Sequence, residues 1–72
     1  MRSVKTHQLE KGDYAAHVID LPNCGGIQIT RQGKIERVEP QDMWGQPSET
    51  HTLIWINDDV ISVHNTHNWM VR

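Results

Sequence analysis

Cysteine occurs once in this chain of 72 residues, at Cys24, and phenylalanine does not occur at all. A single thiol excludes an intramolecular disulfide. It also argues against an extracellular mini-protein, whose small core is held by paired cysteines, so the expected compartment is the reducing cytoplasm. Long apolar runs are missing too. No stretch approaches the roughly 20 residues that a membrane-spanning helix requires, and no apolar run follows Met1-Arg2 as it would in a secretory leader; no membrane partner is expected. Lysine and arginine are absent from Val38 to Val71, where Glu39, Asp42, Glu49, Asp58 and Asp59 stand. The net charge of −2 therefore conceals a dipole, with the cations in the first half. Head-to-tail contacts between copies are favoured by such a split.

What remains is a lean but foldable composition, 36% hydrophobic and 22% charged with three tryptophans. A chain this short buries only about 60% of the surface its unfolded form exposes, so a partner subunit that covers further apolar area is expected. Turn residues recur at Gly12-Asp13, Pro22-Asn23, Gly25-Gly26, Gly33, Gly45 and Asp58-Asp59, with β-branched and aromatic residues between them. That spacing predicts an all-β fold, a small antiparallel meander of five to six short strands. It closes as an SH3-like barrel or stays an open sheet completed by oligomerisation. Residues 1–13 read as a polar N-terminal segment and 14–72 as a single β domain.

Three stretches carry the strand assignment. Tyr14–Leu21 is apolar on both faces, as a central strand would be, with His17 in need of a hydrogen-bond partner. Arg31-Gln32-Gly33 reads as a three-residue loop, because that register sets Ile29 opposite Ile35. The hairpin of Thr52–Ile56 and Val60–Val63 gathers Ile54, Ile56, Ile61 and Val63 on one face, pairing Ile56 with Ile61 and Ile54 with Val63. Its other face holds His51, Leu53, Trp55, Ser62 and His64. Residues 39–50, with Pro40, Gly45 and Pro47, read as one long irregular connection, and loops of that length are often functional. Trp69–Val71 reads as a short closing strand.

The function expected from these features is non-enzymatic protein binding, by an accessory or inhibitory domain. Its contacts are assigned to Met43 and Trp44 in the long connection and to Leu53 and Trp55 on the apolar face, since tryptophan is enriched at binding hot spots. The alternative is a module for single-stranded nucleic acid, with Arg31, Lys34 and Arg37 forming a basic strip at the first hairpin tip; such modules join a basic groove to aromatic platforms. Here the tryptophans lie in the acidic half. A second alternative is a metal-binding or shared-site enzyme subunit. His51 and His64 share a face as diagonal neighbours, but zinc takes three or four protein ligands and local geometry brings neither Cys24 nor His67 to them. Cys24 in Pro-Asn-Cys-Gly-Gly has His17 as its nearest base in sequence, without the rest of a nucleophilic constellation. No cofactor is expected.

Asp13-Tyr14 through Ile27-Gln28-Ile29-Thr30-Arg31 resembles the early strands of the tryptophan RNA-binding attenuation protein family, a ring of small β-subunits. That family grips RNA with basic residues on a later hairpin. The comparable place here holds Trp55-Ile56-Asn57-Asp58, so the resemblance carries no binding residue over. Lys11-Gly12-Asp13 before a strand is similar to the entry of SH3-like barrels.

Overall fold

The computed structural model describes residues 2–21 and 25–72, the side chain of Met43 excepted. Six antiparallel strands form one open sheet: β1 (Arg2–Lys5), β2 (Tyr14–Leu21), β3 (Gly26–Met43), β4 (Gln46–Ile56), β5 (Asp59–His64) and β6 (Asn68–Val71), in the spatial order β1-β6-β2-β3-β4-β5. The all-β expectation holds, and β2 begins and ends where its composition placed it. Among the described residues the only helix is the 3₁₀ turn Thr6–Gln8, and none is long and apolar enough to cross a membrane.

The long strand β3 organises the sheet. Eighteen residues of extended chain would run roughly 55–60 Å, yet the longest dimension of the molecule is 40 Å, so β3 is bent. Up to Lys34 it pairs with β2, and from Ile35 with β4. Three register shifts lie along it, one opposite His17/Val18 where Thr30 is the extra residue, one between Ile35 and Arg37, and one between Pro40 and Asp42. Each adds local twist and re-aims the following side chains. Ile35 lies at the change of partner and is fully buried, packed in one cluster with Ile54, Ile56, Val63, Trp69 and Val71.

Arg31-Gln32-Gly33 is therefore not a turn. It runs through β3, Ile29 pairs with Val18, and Ile35 pairs with Ile56. Gly33 serves close approach instead of chain reversal: a Cβ there would overlap Asn57 Oδ1, and Asn57 Nδ2 donates to the Gln32 carbonyl at 2.9 Å. Gly33→Ala is expected to push Asn57 aside and cost about 1–2 kcal/mol through the lost hydrogen bond and crowding. In an Asn57→Gly background the same change should cost almost nothing; paired urea midpoints would show whether the two costs differ.

Residues 39–50 are a second departure. They form a hairpin in which Met43 pairs with Gln46 across Trp44-Gly45. Both turn residues have positive φ, 57° and 80°, as a type I′ turn requires. The prolines suggested irregular chain, but β3 loses β2 as a neighbour beyond Lys34 and β4 gains β5 only from His51. Each strand thus has a free edge where proline's missing N–H leaves no ladder bond unmade.

The β4–β5 hairpin keeps the expected faces in a shifted register. Its turn is Asn57-Asp58, with φ of 55° and 62°, so Ile54 meets Ile61, Thr52 meets Val63 and Ile56 meets Asp59. A shift of two residues conserves the face. Ile54, Ile56 and Val63 are buried accordingly. The polar lead-in also contributes structure: β1 pairs with β6, Leu9 joins the core, and Thr6 is fully buried. Thr6 Oγ1 donates to the His64 carbonyl at 2.9 Å and accepts from Trp69 Nε1 at 3.0 Å, which satisfies both buried polar groups.

Candidate functional site

The assigned residues fall in separate places. Trp44 stands at the tip of the β3–β4 hairpin with 98% of its surface exposed. The side chain of Met43 and all of Cys24 lie outside the described residues. Leu53 and Trp55 share the outer face of β4 and are half-buried. Part of that cover comes from the chain itself: the Arg37 guanidinium lies 4.8 Å from the Trp55 ring centroid and is held there by Glu39, to which its Nε donates at 2.9 Å. Trp44, projecting at the hairpin tip, is not packed against Leu53 or Trp55.

The three basic residues are not gathered at a hairpin tip but follow one another along β3. Arg31 turns toward β5 and bridges Asp59 at 3.3 Å, Lys34 pairs with Tyr14, and Arg37 is engaged by Glu39 and Trp55. The supposed hairpin tip that would have joined them is the interior of a strand, whose residues alternate between faces.

Histidines, in contrast, converge. His51 and His64 are directly opposite in the ladder, with ring centroids 4.9 Å apart. His67, expected to point away from His64, lies 6.3 Å from it and stacks on His17 at 5.1 Å. The four rings border one cleft of about 480 Å³, floored by Ile61 and Val63 and flanked by Thr30 and Arg31. Extended geometry misplaced His67 because residues 65–67 form a tight turn, closed by His67 N donating to His64 O at 3.0 Å. The turn-forming run Asn65-Thr66-His67-Asn68 was the signal in the sequence.

Hydrogen bonds fix the protonation pattern at His17. Thr30 Oγ1 donates to the His17 carbonyl at 3.4 Å, so the same oxygen accepts from His17 Nδ1, 2.5 Å away. That leaves Nε2 as an acceptor, facing His67 Nδ1 at 2.9 Å; this tautomer is assigned from the network. Burial, then the charge of His67, then that of Arg31 hold the His17 pKa below its ordinary 6.5. A second proton on His17 would set its Nε2–H toward His67 Nδ1 across the 2.9 Å contact, in line with the lowered His17 pKa. Among the described residues no group of three or more ligating side chains has metal-site geometry.

A smaller depression, about 210 Å³ in volume, lies on the outer face of β6, β2 and β3, lined by Tyr14, Ala16, Val18, Ile27, Ile29 and Met70 together with the polar Gln32 and Arg72. Sequence reading found both faces of β2 apolar but expected them to be covered. On β2 itself Ala15 and Val18 are buried and Tyr14 is exposed, while Ile27 and Ile29 beside it on β3 are more than half exposed. Comparison with protein-family models, curated proteins and solved structures finds no match.

Proposed function

We propose that this chain is a small protein-binding domain of the accessory or inhibitory kind, acting in the cytoplasm, and that Trp44 is its principal anchor. The observation that carries this reading is the placement of an indole, 98% exposed, on a two-residue type I′ turn. An indole left in water forgoes the stabilisation that burying an aromatic side chain brings. A rigid hairpin presents it at low entropic cost, since turn and strands are already ordered before a partner arrives. Tryptophan so displayed is the residue type most often found at the centre of an interface.

The bent sheet supports a finer description as an SH3-like barrel left partly open. β3 contributes to both halves, and the Thr6 N to His67 O bond of 3.2 Å ties the end of β1 to the turn that follows β5. Leu53 and Trp55 extend the proposed contact area as a secondary, half-covered surface.

Immobilised wild-type chain should retain a partner from the source cell in a saturable way, and Trp44→Ala should reduce that retention at least tenfold, a loss of about 1.4 kcal/mol or more. Retention within threefold of wild type would remove Trp44 from the interface. Retention that collapses with added salt would favour the nucleic-acid alternative, because phosphate contacts weaken steeply with ionic strength.

A further inference from the structure

We propose that the partner which receives Trp44 is a second copy of this chain, and that the receptor is the apolar depression on the outer face of β6, β2 and β3. This rests on the reading of Trp44 as a docking anchor and names what it docks into.

Size comes first. A cavity of about 150 Å³ is enough to hold a benzene ring, and drug-sized ligands occupy roughly 300–1,000 Å³. At about 210 Å³ the depression lies between these and suits one indole. Its floor is Val18, which is buried yet stands outside the main core cluster. Its walls concentrate the exposed apolar surface: of the five large hydrophobic side chains that are exposed among the described residues, Tyr14, Ile27 and Ile29 border it, and Trp44 is the fourth. Knob and hole thus hold four of the five, on different elements, and the fifth, Val60, stands apart from both on β5.

Charge supplies the orientation. The Trp44 hairpin carries Asp42 and Glu49 with no cation beyond Arg37. At the Tyr14 end of the depression stand Lys34, opposite Tyr14 in the ladder, and Arg72, whose guanidinium lies 5.2 Å from the Tyr14 ring centroid. The one acid at the far end is Asp20, beside Ile27. An incoming acidic hairpin is therefore drawn to the basic end and disfavoured at the other, which complementary potentials convert into register and faster association.

A contact between two different patches is heterologous, and repeats head to tail into a ring or an open chain. One indole per contact is a small interface, so Kd is expected between about 10 µM and 1 mM.

The decisive experiment is sedimentation velocity on the purified full chain at rising concentration, with two variants that each spoil one half of the contact. Trp44→Ala removes the knob from a fully exposed position, and Ile29→Glu places an acid in the wall that the acidic hairpin must approach; circular dichroism checks that each is folded. Wild type should grow in size with concentration, and each variant alone should associate at least tenfold more weakly. Mixed in equal amounts they should form a capped one-to-one dimer, because each retains the half that the other lacks. A mixture that stays monomeric while wild type associates overturns the proposal, as does association of Trp44→Ala equal to wild type. Wild type that remains monomeric up to about 1 mM while still capturing a different protein through Trp44 overturns the second-copy partner and leaves the docking reading standing. Monomeric chain with no Trp44-dependent capture removes both.

Discussion

Trp69→Ala is expected to cost about 3–5 kcal/mol, the range for deleting a buried aromatic side chain, and so to leave the domain largely unfolded at physiological temperature. At 0.05–0.15 kcal/mol per residue a chain of this length has only about 4–11 kcal/mol in total. The indole is fully buried and joins parts of the chain that nothing else connects as directly. It belongs to β6, it packs with Ile35, Ile54 and Ile56 from β3 and β4, and its Nε1 donates to Thr6 Oγ1. Removing it opens a cavity in a core too small to collapse around it and leaves Thr6 with a lone pair unmatched. Trp69→Phe separates these effects: it keeps most of the bulk and loses the hydrogen bond, for an expected cost of about 1–2 kcal/mol. Urea denaturation of the three proteins tests the order. An alanine variant within about 1.5 kcal/mol of wild type would mean that the core is organised elsewhere.

Trp69 also marks how far the sequence could be read. Ile54, Ile56 and Val63 declared themselves through strict alternation, and alternation survives an error of two residues in register, which is why the buried face was right while the turn was misplaced. Trp69 lies in a strand of four residues, too short for a period to show, and its importance comes from contacts with residues some 13 to 63 positions away. The same limit hid the bend of β3. Gly33 carries the mark of a turn, yet its lack of a side chain is used to admit Asn57 from another hairpin, a requirement visible only once the two strands are side by side. Pro40 and Pro47 were read by their local rule, which takes no account of which edge of a strand is free. Of the candidate site residues, Trp44 was legible because an apolar residue next to glycine, between prolines, has no periodic reason to be buried. The apolar outer face of β2 was seen, but its openness depends on where the bulge at Thr30 sends Ile27 and Ile29.

Acid should weaken this fold through the histidine cleft, and the sign follows from the tautomer at His17. Its folded pKa lies below the ordinary 6.5, so in the window below that value the unfolded chain binds a proton that the folded chain refuses. The unfolded state then carries more bound protons, and stability rises with pH across the window. The contribution of His17 is complete above pH 6.5 and is lost progressively as the pH falls toward the lower folded value. Geometry explains the refusal: Nδ1 already donates to Thr30, and a second proton on Nε2 would face His67 Nδ1 at 2.9 Å, with the Arg31 cation nearby and Asp59 bridged to it. His64 and His51 continue the row of rings, so no anion of the cleft offsets the new cation. Urea midpoints measured from about pH 7.5 to about pH 5 should fall for wild type and fall much less for His17→Gln, which keeps a polar side chain but cannot take up the proton. Equal slopes for the two proteins would place the acid sensitivity on other groups. Because His17 and Trp69 lie with ring centroids 4.9 Å apart, the wild-type transition should also appear in the Trp69 fluorescence. That ties the protonation event to the core contact whose loss matters most.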